Sequence, residues 1–334
     1  MTSRRDALLT LLLGPVVASC EQRKKEAAEK GPLKIAVIPK GTTHEFWKSV
    51  HAGAVRASKS GEPVELLWKG PLKEDDLKSQ IDIVESMVAQ GVAGIILAPL
   101  NDKALVNPVK AAMAGKIPVV IFDSGLQGKE YVGFVGTDNA AAGGKAGEHL
   151  GRALGGKGSV LVLRYQEGSA STTAREQGFL AALRGKHPGV TVVSDKQYGG
   201  ATTESAFAAA ENLLAANKAA EGGVDAVFCP NESTTFGMLL ALQKAKLAGK
   251  VKLVGFDASD KLVQGLREGQ IEGLVLQDPM MMGDLALRTL LGAIHGKPAP
   301  EVQDTGSRLV AKGDLDSPEV QALIHPDLKK WLGE

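Results

Sequence analysis

The chain has 334 residues, which is long enough for two domains. It is 44% hydrophobic and 23% charged, a balance typical of a folded globular protein and unlike that of a disordered one. Lys and Arg number 39 and Asp and Glu number 38, so the net charge of +1 disfavours a broad phosphate-binding surface and therefore nucleic acid as a partner. Two cysteines cannot form a disulfide-stapled scaffold.

The N-terminus has the pattern of an export signal. A pair of arginines precedes a short apolar run, Ala7–Ala18, and small residues follow before Cys20. The run is too short to remain in a bilayer as a spanning helix. Residues 17–20, Val-Ala-Ser-Cys, resemble a bacterial lipobox. We therefore predict a signal peptide over 1–19, a lipidated Cys20 and a charged tether over 20–32. An ordinary secretion signal with a chance cysteine is the alternative.

Short apolar runs then alternate with helical patterns. We predict about ten strands, at 34–39, 64–68, 94–98, 118–122, 131–135, 159–163, 190–193, 226–229, 252–256 and 273–276. Helices are predicted at about 45–59, 74–89, 103–114, 140–154, 172–184, 204–217, 234–246, 261–268 and 279–295.

This alternation indicates βαβ units, and hence an α/β protein with parallel sheets covered by helices on both faces. Because ten strands in one open sheet would be unusual, two lobes are favoured, with a boundary near Thr137–Asp138. The tail, 313–334, is predicted to be a small helical appendix.

Polar and aromatic side chains gather directly after the predicted strands. In an open parallel sheet, ligands lie beyond the carboxyl ends of the strands. These segments are 41–47, 123–124, 164–167 with Arg175, Tyr198, 231–233, 256–257 and 277–278. Aromatic faces stack on sugar rings, while carboxylates, amides and guanidinium groups bond hydroxyls. The mixture therefore predicts a site for a neutral polyol, because a phosphate would need glycine-rich loops and excess cations.

Three segments resemble the bacterial periplasmic sugar-binding proteins of the ribose-binding type, which share their fold with LacI-type effector domains. They are VVIFD at 119–123, VGFD at 254–257, and GTDN at 136–139 with GGKAG at 143–147. The resemblance implies two Rossmann-like lobes with parallel sheets, joined by a three-stranded hinge and closing over one sugar. The lobes it implies are 33–137 plus 278–304 and 138–277 plus 305–312.

The resemblance also implies roles for individual residues. Phe46 and Trp47 would clamp one ring face, Asp123 would hold two hydroxyls, and Arg175 would contribute a guanidinium from the second lobe. The other ligand positions that it implies are His44, Ser124, Tyr198, Asn231, Phe256, Asp257 and Gln277.

Two of these positions depart from the ribose-binding pattern. Ser124 stands where ribose binders carry Arg, and His44 stands where the family often has Asn. A hexose, a cyclitol or another polyol therefore fits as well as a pentose. Simpler roles also stay open, because His44 could cap a helix starting at Glu45 and Arg175 could form a surface ion pair.

No nucleotide-binding loop, metalloprotease motif or nucleophile elbow is present, so we predict neither an enzyme nor a cofactor or metal. A carbohydrate-processing enzyme using Asp123 and Asp257 is a remote alternative. The favoured function is a monomeric, extracytoplasmic solute-binding protein that delivers a monosaccharide or polyol to the permease subunits of an ABC-type importer. A sugar-sensing receptor subunit for a chemotaxis or two-component system is the second possibility.

Overall fold

The computed structural model describes residues 31–333. The predicted signal peptide, the lipidated Cys20 and nearly all of the tether lie outside the described residues. Within 31–333, no helix combines the length and the apolar composition that crossing a membrane requires.

Strands and helices alternate along the described chain, and we number them in chain order. The first set is β1 Leu33–Ile38, α1 Glu45–Ser58, β2 Val64–Trp68, α2 Leu77–Ala89, β3 Gly94–Leu97, α3 Val106–Ala114, β4 Val119–Phe122 and β5 Gly133–Gly136. The second set is α4 Asn139–Ala153, β6 Gly158–Val162, α5 Ala170–Lys186, β7 Val190–Ser194, α6 Thr203–Ala216, β8 Ala226–Phe228, α7 Glu232–Lys244, β9 Lys252–Phe256, α8 Asp260–Arg267 and β10 Gly273–Gln277. The last elements are α9 Pro279–Ile294, β11 Val302–Asp304, β12 Ser307–Val310, α10 Pro318–Ile324 and α11 Leu328–Leu332.

The strands form two six-stranded sheets, one in each lobe. Their orders are β11-β5-β4-β3-β1-β2 and β12-β10-β9-β8-β6-β7, so the two lobes repeat one doubly wound topology. All pairs are parallel except β10 with β12. Apolar residues cover both faces of each sheet, as buried parallel strands require. The prediction of two parallel-sheet lobes is confirmed.

The chain passes from one sheet to the other three times. It crosses after β5 at Thr137–Asp138, after β10 at Asp278, and between β11 and β12 at Thr305–Gly306. Helix α9 therefore returns to the first lobe, where it packs against α1 and strands β3, β4 and β5. Three short connections lie side by side between the lobes, an arrangement that permits hinge bending.

Two edge strands were not predicted from the sequence. β11 has the sequence Val-Gln-Asp, and Val302 is 63% exposed, so no apolar run marks this strand. Its pairing with β5 places it in the sheet, and β12 is placed likewise by its pairing with β10. Tertiary pairing, rather than local propensity, determines both strands.

Helix α2 begins at Leu77, three residues later than predicted. Asp76 caps it, accepting a hydrogen bond from the Ser79 N–H at 3.0 Å. The late start leaves 69–76 as a loop. Glu74, which would otherwise occupy the first helical turn, is thereby free to turn toward the space between the lobes.

Glycines let helices approach closely at one matching place in each lobe. In the first lobe, a Cβ on Gly53 of α1 would lie 2.0 Å from the Met280 carbonyl oxygen of α9. In the second, a Cβ on Gly143 of α4 would lie 1.9 Å from the carbonyl oxygen of Arg175 in α5. Neither position tolerates a side chain. The close packing of α4 against α5 therefore fixes the position of the Arg175 backbone.

The C-terminal tail contacts both lobes. Val320 and Ile324 of α10 are buried in the apolar core of the second lobe, whereas α11 lies against α1 of the first. The short link between these helices, 325–327, therefore passes from one lobe to the other beside the cleft.

Candidate functional site

A small cavity lies between the lobes, at the carboxyl ends of their parallel strands. It encloses about 350 Å³ including its opening to solvent. Its lining residues are Lys40, His44, Phe46, Trp47, Glu74, Asp123, Tyr165, Ser171, Thr172, Arg175, Asn231, Glu232, Asp257 and Gln277. Lys40 follows β1 and Asn231 follows β8, so the cavity lies where the strand order of each sheet reverses, the usual ligand position in this topology.

The structure brings most of the sequence-predicted site residues together around this cavity. Those that line it are His44, Phe46, Trp47, Asp123, Arg175, Asn231, Asp257 and Gln277. Ser124, Tyr198 and Phe256 lie outside its lining.

Each of these three has another role in the structure. Ser124 is completely buried, and its hydroxyl accepts the Ser171 N–H at 3.2 Å, joining one lobe to the other. Phe256 packs against Arg175, whose guanidinium lies over the aromatic ring, 4.5 Å from its centre. Tyr198 is not among the residues that line the cavity, and its ring centre lies 4.6 Å from the Arg164 guanidinium.

The aromatic residue that the second lobe contributes to the cavity is instead Tyr165. Its ring is 1% exposed, and its hydroxyl donates a hydrogen bond to Glu74 of the first lobe. Gln166 adds a second link, from its Nε2 to the Glu74 carbonyl oxygen at 3.0 Å. These two contacts join the lobes at the rim of the cavity.

The carboxylate of Glu74 organises the first-lobe wall. Its Oε1 accepts a hydrogen bond from Trp47 Nε1 at 2.6 Å and lies 2.8 Å from His44 Nδ1. Burial alone would raise the pKa of Glu74, but the charge and hydrogen bond of His44 outweigh it and lower that pKa to about 2. Burial alone would lower the pKa of His44, and Glu74 raises it to about 9. The pair is therefore ionised at neutral pH.

Lys40 forms a second bridge between the lobes. Its Nζ lies 3.3 Å from Asp123 Oδ2 and donates to the hydroxyls of Ser169 and Ser171 at 3.3 and 3.1 Å. An ammonium group has three N–H donors, and these three acceptors account for all of them. Lys40 is 3% exposed, so its charge is buried with its partner.

Asp123 and Asp257 occupy equivalent positions in the two lobes, directly after β4 and β9. Both have left-handed backbones, with φ of 57° and 68°, which few residues other than glycine, asparagine and aspartate adopt readily. Their N–H groups donate to the carbonyl oxygens of Val135 and Val275, each at 3.0 Å. The sharp turn after each strand places one carboxylate in each wall of the cavity.

Arg175 is held by three hydrogen bonds. Its Nε donates to Asn139 Oδ1 at 2.7 Å, Nη1 to the Pro230 carbonyl oxygen at 2.9 Å, and Nη2 to Gln277 Oε1 at 2.7 Å. A guanidinium has five N–H groups, so two remain for a molecule in the cavity. The group is therefore oriented before any ligand arrives.

The hinge residue Gln277 connects this guanidinium to Asp257. Its Nε2 donates to Asp257 Oδ1 at 2.7 Å, and the Glu232 N–H donates to Asp257 Oδ2 at 3.0 Å. Burial raises the pKa of Asp257, and the charge of Arg175 opposes that rise. Arg175 thus compensates for the burial of this carboxylate.

Asn231 and Glu232 begin helix α7. The Asn231 side chain caps the helix, because its Oδ1 accepts the Thr234 N–H at 3.3 Å while its Nδ2 donates to the Ser233 hydroxyl at 3.1 Å. Burial raises the pKa of Glu232 to about 7, despite the opposing charge of His44. Asn231 therefore both caps helix α7 and lines the cavity.

The charges around the cavity nearly balance. Lys40, His44 and Arg175 are cations, and four carboxyl groups face them: Glu74, Asp123, Glu232 and Asp257. This balance suits an uncharged molecule with several hydroxyl groups better than a phosphate or a carboxylate. Within 31–333, no group of His, Cys, Asp and Glu side chains is arranged to hold a metal ion.

Comparison with known proteins identifies the family. Residues 35–298 match the family described as the periplasmic binding protein domain. A D-ribose/D-allose-binding protein of Pseudomonas aeruginosa is 31% identical over 283 residues, covering 82% of this chain and 85% of that protein. The chain belongs to the periplasmic binding protein family.

Solved structures of this family have the same fold. A carbohydrate transporter solute-binding protein of Agrobacterium radiobacter, in complex with D-arabinose, is 34% identical, with a TM-score of 0.82 over 88% of this chain and 99% of that one. An ABC transporter solute-binding protein of Agrobacterium vitis with bound D-fucose is 32% identical, with a TM-score of 0.83 over 87% of this chain and 100% of that one. This periplasmic binding protein is accordingly of the sugar-transport class, acts outside the cytoplasm and is not an enzyme.

Sequence reasoning missed several residues that line the cavity of this binding protein. Lys40 follows β1 closely, so the position of the strand end could have identified it, and Tyr165 lies in the strand-end segment 164–167 but was given no ligand role. Glu74 gives no such signal, because it lies in the middle of the loop between β2 and α2. Ser171 and Thr172 lie in the first turn of α5 and reach the cavity only because the second lobe closes over the first.

A second, larger space adjoins the cavity of the binding protein. It encloses about 970 Å³ including open solvent and shares Phe46, Glu232, Asp257 and Gln277 with the inner cavity. Its remaining walls include the start of α1 and the C-terminal segment 323–328. We call it the outer compartment.

Proposed function

We propose that this protein binds one neutral monosaccharide or related polyol in the cavity between its lobes and delivers it to the permease of an ABC-type importer. The observation that carries the proposal is a buried cavity whose walls come from two lobes and whose charges nearly balance. The sugars bound by similar proteins, namely D-ribose or D-allose, D-arabinose and D-fucose, support this class of ligand.

The polar ligands come from both lobes. Asp123 and Asp257 accept hydrogen bonds from hydroxyls, and the two unused N–H groups of Arg175 donate to them. Phe46 stacks on the sugar, because it is only partly buried, whereas Trp47 is 3% exposed and its indole N–H is already bonded to Glu74. Trp47 instead supports Phe46 edge-on, with ring centres 4.9 Å apart.

Binding closes the hinge. The closed form brings Lys40 to Ser169 and Ser171, and Glu74 to Tyr165, across the cleft. A sugar that bonds both lobes at once has a higher affinity for this closed form than for an open one, so it shifts the equilibrium toward closure by that difference. The permease subunits then recognise the two lobe edges held together. A sensor subunit that reads the same closed form is the second candidate.

Stabilisation by sugars tests the proposed ligand class. We expect at least one of D-ribose, D-allose, D-arabinose and D-fucose to raise the unfolding temperature of the purified protein. A ligand at 100 times its dissociation constant adds about 2.7 kcal/mol to the free energy of unfolding, which is a rise of several degrees. D-Ribose 5-phosphate serves as the charged control and should give no rise. A rise with the phosphate alone would contradict a neutral ligand, and no rise with any neutral pentose, hexose or cyclitol would contradict the sugar site.

The protein is further proposed to act as a monomer held at the membrane by a lipid on Cys20. The support is the lipobox-like sequence at 17–20 and the charged segment that follows it. Replacing Cys20 with Ser should release the protein from the membrane fraction into the soluble extracytoplasmic fraction, because one sulfur carries the anchor. Cys229→Ser is the matched control, since that thiol is buried in the second lobe and should not affect membrane association. Retention of the Cys20→Ser protein in membranes would contradict the anchor.

A further inference from the structure

Glu74 lies beside the cavity, yet the protein already uses its carboxylate oxygens. Oε1 accepts a hydrogen bond from Trp47 Nε1 and pairs with His44 Nδ1, and Oε2 accepts a hydrogen bond from the Tyr165 hydroxyl. Glu74 is 6% exposed, so these donors are what permits a buried negative charge. Any effect of Glu74 on a bound sugar must therefore pass through the residues that it holds.

His44 is the one of these residues with a free polar atom in the cavity. Its ring lines the cavity, its Nδ1 is held by Glu74, and its Nε2 has no hydrogen bond to a residue within 31–333. A histidine that carries protons on both nitrogens can only donate at Nε2, whereas a neutral ring held through Nδ1–H could only accept there. The charge on Glu74 decides between these two states.

We propose that Glu74 is a positioning residue that fixes His44 as a hydrogen-bond donor toward the bound sugar throughout the neutral pH range. The inference rests on the proposed function and deepens it. The ligand must then present an oxygen acceptor, either a hydroxyl or the ring oxygen, to His44 Nε2. A sugar with a protonated amine at that position is rejected by charge repulsion.

Other charged groups surround His44, but none can replace Glu74. Glu232 at the start of α7 and Asp257 after β9 face it from the second lobe, and both favour its charged form. Lys40 acts on Glu74 from the first lobe, and Glu204 at the start of α6 interacts with His44 more weakly. The pKa of Glu232 is raised to about 7, so this carboxyl is only partly ionised near neutrality. Glu74, with a pKa lowered to about 2, stays ionised and touches the ring.

The isosteric substitution Glu74→Gln tests the inference in two ways. In the ligand-free protein, NMR titration of the histidine rings should show His44 titrating near pH 9 in the wild type and about two pH units or more lower in the variant. His44→Gln assigns the signal. For the tightest binder among D-ribose, D-allose, D-arabinose and D-fucose, wild-type affinity should be nearly flat from pH 7 to pH 8. In Glu74→Gln it should fall by about five- to tenfold over that interval, as His44 loses its proton.

Two further variants separate charge from packing. Tyr165→Phe removes one bond to Glu74 without changing any charge, so it should weaken binding at all pH values while His44 still titrates near pH 9. Glu232→Gln removes the charge of the neighbouring carboxyl group. This substitution should lower the pKa of His44 by less than Glu74→Gln does. If Glu74→Gln does not fold, His44→Gln decides the point, because its affinity should stay constant from pH 8 to pH 9.5 while that of the wild type falls.

Two results would overturn the inference. One is an unchanged titration of His44 in Glu74→Gln, and the other is an equal change in Tyr165→Phe. Because the NMR titration needs no sugar, it reports on Glu74 and His44 even if every sugar fails to bind, in which case the proposed function fails separately.

Discussion

Replacing Asp123 with Asn should lower sugar affinity by about 100-fold or more while leaving the fold intact. Asp123 is 5% exposed and lines the cavity, and its carboxylate is the proposed first-lobe acceptor for sugar hydroxyls. Hydrogen bonds to a charged group contribute about 1.5–3 kcal/mol each, so weakening two of them accounts for an effect of this size. Isothermal titration with the tightest-binding sugar measures the loss.

Asparagine is the appropriate replacement because the backbone φ of 57° is one that it adopts readily, whereas alanine would add strain. Lys40 keeps its two serine acceptors and an amide oxygen in the variant, so the unfolding temperature of the free protein should fall by only a few degrees. Asp82→Asn, on the exposed face of α2, is the matched control with the same charge change and should bind normally. Wild-type affinity in Asp123→Asn would show that the sugar does not contact this carboxylate.

Replacing Arg175 with Met should abolish measurable binding and also destabilise the protein. Three acceptors lose their donor, and the buried carboxylate of Asp257 loses its main compensating charge. Removing one member of a buried charged pair costs about 3–5 kcal/mol. Arg175→Lys keeps the charge but replaces a planar fork with a single ammonium, so binding should still fall by about 100-fold while less stability is lost.

The stability loss in Arg175→Met should depend on pH in a defined direction. Burial already raises the pKa of Asp257, and losing Arg175 raises it further. The native state then holds a proton that the unfolded chain releases, so the free energy of unfolding falls as pH rises through that range. Urea unfolding should therefore show a larger deficit at pH 8 than at pH 5. Arg184→Met, on the exposed end of the same helix, is the control and should be nearly neutral. A deficit in Arg175→Met that grows toward low pH would contradict the pairing with Asp257.

The sequence was sufficient to predict the architecture because the strands are short apolar runs separated by helical patterns. β4, with the sequence Val-Val-Ile-Phe, is completely buried and ends directly before Asp123, so the pattern shows both the strand and the polar residue that follows it. β11 could not be predicted in this way, because it is held by pairing with β5 rather than by its own composition.

The strand pattern was most informative for the cavity residues that follow strands closely. Asp123, Asp257 and Asn231 fall within a few residues of a strand end, and all three line the cavity. Glu74 depends on where α2 begins, which the Asp76 cap decides, and on the approach of Tyr165 from the other lobe. Such contacts between lobes leave no local pattern in the sequence.

Tyr198 illustrates a different limit. Its loop follows β7, and the register of that loop decides whether the ring enters the cleft or lies against Arg164. Arg164 is itself paired with the buried carboxylate of Glu176 in α5 at 2.6 Å, so the tyrosine lies against a fixed guanidinium. Composition gives no information about such a choice between two partners.

A crystal structure of the protein with its tightest-binding sugar tests the central claim most directly. We expect one sugar ring between the lobes, with hydroxyls within about 3.2 Å of Asp123 and of Arg175 and with Phe46 against its face. A ring bound in the outer compartment or on the surface, with the cavity side chains paired only with one another, would contradict it.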